Sequence, residues 1–242
     1  MYEPQEVLVF DLIGPMAHFR NIETNSTSLS YSFPPPTTIR GIIAAILGLE
    51  RDSYYEILSD EKSFVVVQCK SIIRKSIQTL NYQTYKKEAI TQIPLEIIIP
   101  QNKDEEIIYR VFIALEDKTL QSELEQLVSN HNTRYPISFG LASFLCSTQY
   151  VGKFKITKVP TDQQRELQLT ILTLDANILE VIDWGSNAKL FYEKVRKNYG
   201  KDREPGDMVT LVNLVEGTIK IRVKSNVYDI KIDNTSQTIV RY

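Results

Sequence analysis

Cysteine and histidine are scarce in this chain. Two of each among 242 residues leave too few ligands at usable spacing for a structural zinc, so neither a metal site nor a cofactor is expected. Cys69 and Cys146 lie in apolar, strand-like contexts and read as reduced core residues. No apolar run approaches the roughly 20 residues of a membrane-spanning helix, and the Met-Tyr-Glu-Pro start has no basic and apolar leader pattern. The expectation is a cytoplasmic protein with no membrane partner. Gly-x-Ser-x-Gly and Gly-x-x-x-x-Gly-Lys are both missing, which excludes nucleophile-elbow hydrolases and P-loop nucleotide hydrolases.

Acidic residues are missing from three long stretches, 24–49, 62–87 and 126–161, on a chain whose formal charge is only -2. Between the last two, Glu88 to Glu125 carries nine acids against Lys103, Arg110 and Lys118. A fold that gathered the acid-free stretches on one face would build a phosphate groove on a nearly neutral protein. Chance clustering of charge along the chain is the alternative.

The segment from Leu12 to Leu49 is the most informative part. Glu6 to Ile13 reads as a buried strand, broken by Gly14-Pro15. A loop rich in Asn, Ser and Thr follows from Asn21 to Ser32. Pro34, Pro35 and Pro36 then stiffen its exit before Thr37 or Thr38 can cap a helix through Ile39, Ile42, Ile43 and Ile46, stopped at Gly48. A polar loop entering a helix N-terminus, flanked by Arg20 and Arg40, offers amides and cations to phosphate oxygens. Asn25, Ser30, Tyr31, Thr37 and Thr38 are further candidates for RNA contact. Any α+β protein with a strand, a loop and a buried helix would show the same outline.

The pattern AHFR, then a Ser/Thr/Asn loop, then SYSFPPPTTIRGIIAAILG resembles the N-terminal signature of the CRISPR-associated Cascade subunit that caps the five-prime handle of CRISPR RNA. That subunit is the fifth numbered Cas family, in the RAMP superfamily. The resemblance implies a non-catalytic RNA-binding subunit of a type I surveillance complex in antiviral defence. Its partners would be the CRISPR RNA handle and the backbone and large Cascade subunits, with target DNA reached only through the complex.

Further along, Ser63 to Ser71 and the stretch after it read as extended, as do Pro94 to Ile99 and Ile107 to Leu115. Leu120, Leu124, Leu127 and Val128 fall at helical spacing, and Ile137 to Thr157 is a strand region. The order β, α, β, β, α, β is that of an α+β, ferredoxin-like (RRM/RAMP) domain over residues 1–160, with a β-hairpin inserted near 74–92. Residues 161–242 read as a smaller β-rich C-terminal domain. Within it, Ser186 to Asn198 is expected to be helical, with strands at Asp207 to Val215, Thr218 to Val223 and Val227 to Ile232, and turns at Glu216-Gly217 and Ser225-Asn226.

In the hairpin, Arg74, Lys75, Tyr82, Tyr85, Lys86 and Lys87 interleave cations with aromatics and no carboxylate. Such a hairpin can clamp single-stranded RNA, each base stacked on a tyrosine being worth about 1–3 kcal/mol. In the resembled family this insertion is a thumb crossing the junction between handle and spacer. A solvated hairpin whose lysines block edge pairing is the alternative. RYPISFGLAS, from Arg134 to Ser143, resembles the family's tyrosine-proline and glycine segment beside the RNA. There Gly140 would admit a nucleotide close to the backbone, with Arg134 and Ser138 at phosphate or sugar; a glycine at a strand bulge is the alternative.

One branch of the resembled family cleaves precursor CRISPR RNA without metal, using a tyrosine, a lysine and a histidine. This chain has His18 and His131, but no spacing singles out a catalytic set. His18 falls at a strand end and His131 where a helix should finish, a place that favours a positive imidazole. No enzymatic activity is therefore expected, the alternatives being an endoribonuclease and a protein-only scaffold.

Overall fold

The computed structural model describes residues 1–24, 27–83 and 90–242. Strand β1 (Glu6–Gly14) is an inner strand of the main sheet. Its Leu8, Phe10 and Leu12 join one hydrophobic core and Val7 and Val9 another, so both faces are covered and the strand reads as an unbroken apolar run. A short ribbon of β2 (Phe19–Arg20) and β3 (Ser30–Tyr31) follows, then helix α1 (Pro36–Leu47) and β4 (Ser63–Cys69). Next come the hairpin β5 (Ile73–Gln83) and β6 (Ile90–Pro100), β7 (Ile107–Leu115), α2 (Lys118–Ser129) and β8 (Ser147–Lys158). Strands β8, β1, β7 and β4 lie side by side in that order, all antiparallel. With one helix after β1 and the other after β7, this is the ferredoxin-like arrangement, and the hairpin stands between its second and third strands.

The second half departs from expectation in three places. Strands β9 (Gln164–Thr173), β10 (Leu179–Asp183), β11 (Lys189–Arg196) and β12 (Met208–Val223) form a second sheet around β12. The helix expected at 186–198 is thus a strand. Glu193 and Val195 are buried while Tyr192 and Lys194 are exposed, a period of two that the density of charged residues disguised. Glu216-Gly217 does not end a strand either; β12 runs through it, with a shift of register against β9 between Leu214 and Thr218 and Gly217 at φ 82°. Finally, β13 (Val227–Ile232) and β14 (Thr235–Val240) return to the first sheet, β13 pairing with β8. The division expected at residue 160 therefore separates the two sheets only up to β12.

The main sheet curls so that its two sides meet. Phe64 on β4 and Tyr228 on β13, with three strands between them in the sheet order, place their rings edge to face at 5.2 Å. Arg241 closes the gap: its guanidinium lies 5.0 Å from the Phe64 ring and donates to the carbonyls of Ser63, Asp60 and Tyr2. A fully buried arginine is tolerable because backbone oxygens accept hydrogen bonds from its guanidinium. Ile171, Val195, Leu211 and Tyr242 share a core with β1 and α1, so the second sheet packs on the first.

Helix α1 begins without a side-chain cap. Its N-cap is Pro35 and Pro36 is its first residue, so Thr37 and Thr38 lie inside the first turn rather than capping it. The first intrahelical bond runs from the Ile39 amide to the Pro35 carbonyl. The amides of Thr37 and Thr38 precede it and point out of the helix end, with no acid in the first turn. At the other end Gly48 adopts the left-handed conformation, φ 75°.

Candidate functional site

The loop before α1 is held by a buried polar network assembled from three distant parts of the chain. Glu96 on β6 accepts the Ser30 amide at 2.9 Å, and Glu193 on β11 accepts the Ser32 amide at 3.0 Å. Lys75 on β5 sits between these carboxylates, 3.3 Å from each, and donates to the Ser30 carbonyl at 2.6 Å. The Ser30 hydroxyl accepts from the Phe19 amide and donates to the Tyr31 carbonyl. The base of the hairpin is tied to the same loop by backbone pairs between Ala17 and Ile98 and between Ser28 and Leu95. A two-stranded hairpin is marginal alone; here its base is welded to the loop it flanks.

That anchoring leaves a cleft of about 540 Å³ at the N-terminal end of α1. Three arginines, Arg20, Arg196 and Arg203, and four tyrosines, Tyr31, Tyr54, Tyr55 and Tyr199, line it, with Pro35, Thr37 and Thr38 at the helix end and no carboxylate among the lining residues. The Arg20 side chain has no hydrogen bond or ion pair among the described residues and is exposed. Tyr54, Tyr55 and Tyr199 form a connected aromatic wall, with ring centroids 4.9 Å and 6.0 Å apart along it. Tyr55 donates to Asp52 at 2.5 Å and Arg203 reaches the same carboxylate at 2.8 Å. Those two bonds hold the Asp52 carboxyl below its usual range. Burial, with the bond to Asp52 second, pushes the Tyr55 hydroxyl up to about 12, so it stays a donor. The Tyr31 ring is buried, its hydroxyl has no hydrogen-bond partner among the described residues, and burial raises its pKa.

A second cleft, of about 830 Å³, opens between the loop and the hairpin, where Leu80, Ile93 and Leu95 face His18, Ser28 and Gly140. Arg20 and Thr38 line both clefts. The hairpin therefore forms one wall of a groove that passes over the helix end. Cations, uncapped amides and stackable rings on a surface without lining acids can hold phosphates and bases together.

The expected contact residues divide sharply. Arg20, Tyr31, Thr37 and Thr38 come together in the first cleft. Ser30 and Lys75 do not face it freely, being consumed by the buried network. Arg40 is buried, 2.5 Å from Asp60 and 2.8 Å from the Lys197 carbonyl, so it joins β11's exit to the turn before β4 instead of waiting for phosphate. Arg134 sits at the far end of α1: its amide and that of Tyr135 donate to the Ile46 and Ala45 carbonyls, and its side chain pairs with Glu123 at 3.1 Å. Ser138 is held in a bridge to Leu145. Gly140 has φ 93°, and a Cβ there would stand 1.9 Å from the His18 carbonyl oxygen; the close approach it permits is to the chain's own backbone. Arg74 stands exposed on β5. Asn25, Tyr85, Lys86, Lys87 and the Tyr82 side chain lie outside the described residues.

Tyr54, Tyr55, Tyr199, Arg196 and Arg203 were not expected. For Arg196, Tyr199 and Arg203 the sequence signal is the run from Lys194 to Arg203, KVRKNYGKDR, in which cations surround one tyrosine; as the end of a helix it has no reason to reach the loop before α1. The histidines are occupied. His18 is buried, with Nδ1 donating to the Glu96 carbonyl at 2.7 Å and Nε2 accepting from the Ser28 hydroxyl at 3.1 Å. His131, at the end of α2, uses Nδ1 toward the Thr148 carbonyl at 3.0 Å. Among the described residues no group of three or more His, Cys, Asp and Glu is placed to hold a metal ion, and no helix is long and apolar enough to cross a membrane.

The family model described as CRISPR-associated protein (Cas5) matches residues 7–166. No curated protein matches the chain in sequence. In fold it is similar to a CRISPR protein from Archaeoglobus fulgidus, with a TM-score of 0.61 and 14% identity over 98% of this chain and 100% of that one. It is also similar to a chain in the Type III-B Cmr-beta complex bound to cognate target RNA and AMPPnP, with a TM-score of 0.54 and 11% identity over 88% of this chain and 86% of that one.

Proposed function

Since the chain belongs to the CRISPR-associated Cas5 family, as the match over residues 7–166 shows, we propose that it is a non-catalytic RNA-binding subunit of a type I CRISPR surveillance complex that caps the five-prime handle of CRISPR RNA. The observation that carries this reading is the cleft at the bare N-terminus of α1, where Arg20, Arg196 and Arg203 face four tyrosines with no carboxylate among the lining residues. Phosphates of the handle sit against the arginines and the Thr37 and Thr38 amides, and bases stack on the Tyr54–Tyr55–Tyr199 wall. The hairpin, rooted in the same loop through Lys75, Glu96 and the Ala17–Ile98 pair, closes the groove from the other side and seats the neighbouring backbone subunit.

Non-catalysis is part of the proposal. A metal-independent ribonuclease needs a base within hydrogen-bond reach of one ribose hydroxyl and an acid at the leaving oxygen. Both His18 ring nitrogens already have partners inside the protein, which supports a structural role. Purified protein mixed with repeat RNA, with and without chelator, is expected to bind the RNA and leave it whole. One discrete cut within the repeat, lost on His18→Ala or His131→Ala, would establish the endoribonuclease instead; no binding at all would favour a protein-only scaffold.

A further inference from the structure

The cleft has an outlet along β11. Residues on this strand alternate between faces: Glu193 and Val195 are buried, while Tyr192 is 58% exposed and the Lys194 side chain 59%. Arg196, on the same face as Tyr192 and Lys194, lines the cleft. At the other end of the row, Tyr192 meets Trp184, which follows β10; their rings are 6.4 Å apart and tilted by 42°, and Trp184 is itself 39% exposed. Among the described residues the only carboxylate paired to this row is Glu23, 3.8 Å from Lys194. Past Trp184 the row of cations ends: on β10 Glu180 pairs with Arg222, and Asp183 stands opposite Lys220 in register.

We propose that single-stranded RNA leaving the cleft runs along the outer face of β11, its phosphates over Arg196 and Lys194, and ends with bases stacked on Tyr192 and Trp184. The proposal rests on the cleft being an RNA site. Two exposed aromatic rings beside a cation row have no use for the core, which Glu193 and Val195 serve from the opposite face. The row continues the cleft through Arg196, and its limit is the aromatic pair at Trp184, beyond which the cations of β12 face carboxylates of β10. From Arg196 to Tyr192 the strand advances about 13 Å at about 3.3 Å per residue, room for about four nucleotides at the stacked spacing of about 3.4 Å.

Trp184 is the only tryptophan in the chain, so its fluorescence reports directly on the end of this path. The intact protein is titrated with random-sequence single-stranded RNA pools of graded length. Oligonucleotides that only fill the cleft are expected to bind without changing Trp184 emission, and quenching is expected to begin once the RNA is about four nucleotides longer. Trp184→Ala combined with Tyr192→Ala should weaken long RNA about tenfold or more and leave short RNA unaffected, while Lys194→Ala should lower the log-log salt slope by about 0.7 for long RNA only. Long RNA bound at full affinity with unquenched Trp184, and unaffected by these substitutions, would overturn the path while leaving the cleft standing. Absence of binding at every length would overturn both.

Discussion

Two clusters of cations flank the loop before α1, and they behave in opposite ways. In the first, Lys75 is enclosed by Glu96 and Glu193 and by the Ser30 carbonyl, and Arg40 is locked to Asp60. In the second, Arg20 is exposed, without a side-chain partner among the described residues, in a cleft with no lining acid. Burial decides the difference. A cation taken out of water must be hydrogen-bonded by acids or carbonyls, and its charge then serves the fold; Arg20, exposed and without a partner among the described residues, keeps its charge for a ligand. The buried cluster is nevertheless necessary to the open one, because it fixes the loop that carries Tyr31 to the cleft wall and pairs β3 with β2, where Arg20 lies.

The contrast is most strongly challenged by Arg40→Ala. Removing one partner of a buried pair typically costs about 3–5 kcal/mol; because Asp60 keeps Lys197 at 3.2 Å, the lower end is expected, seen as a large fall in denaturation midpoint with unchanged RNA affinity of the folded fraction. Arg20→Ala should do the reverse. Its stability should stay within about 0.5 kcal/mol of the parent, while RNA binding weakens by about 1.5–3 kcal/mol, as for a lost hydrogen bond to a charged group; a stability loss with intact affinity would move Arg20 into the structural cluster. Tyr55→Phe keeps the ring and removes the bond to Asp52, so a change of about 1 kcal/mol is expected, read as slightly weaker binding through a looser Arg203.

The smallest effect concerns pH. The Asp52 carboxyl titrates below its unfolded value because Tyr55 and Arg203 bond to its charged form. Its contribution is therefore fully present above the ordinary carboxylate range and is lost as pH falls through the lowered folded value. The melting difference between the parent and Asp52→Asn should shrink to nothing on acidification; a difference that persists unchanged at low pH would mean that Asp52 acts through packing.

Much of the first half was legible in the sequence. The buried run at β1, the helical spacing of Leu120, Leu124 and Val128, and the left-handed stop at Gly48 each follow from local pattern, and their order sufficed for the ferredoxin-like arrangement. What was not legible is pairing across distance. Nothing near Lys75 in the sequence announces Glu193, and nothing near Arg40 announces the Lys197 carbonyl, so cations committed to the fold looked like cations available to RNA. The strand at β11 was disguised in the same way: its period of two is visible only once Glu193 is known to be buried, and a buried glutamate is not what a search for apolar alternation looks for. A helix there also hides Arg196, Tyr199 and Arg203, three of the seven arginines and tyrosines that line the cleft.

The central claim, that the cleft at the end of α1 holds RNA phosphates, is tested most directly by the salt dependence of RNA binding in Arg20→Ala, Arg203→Ala and the double variant. Each lost contact on a single strand should lower the slope of log affinity against log salt by about 0.7, and the pair by about 1.4. A slope unchanged from the parent in all three variants, with the proteins folded, would contradict it.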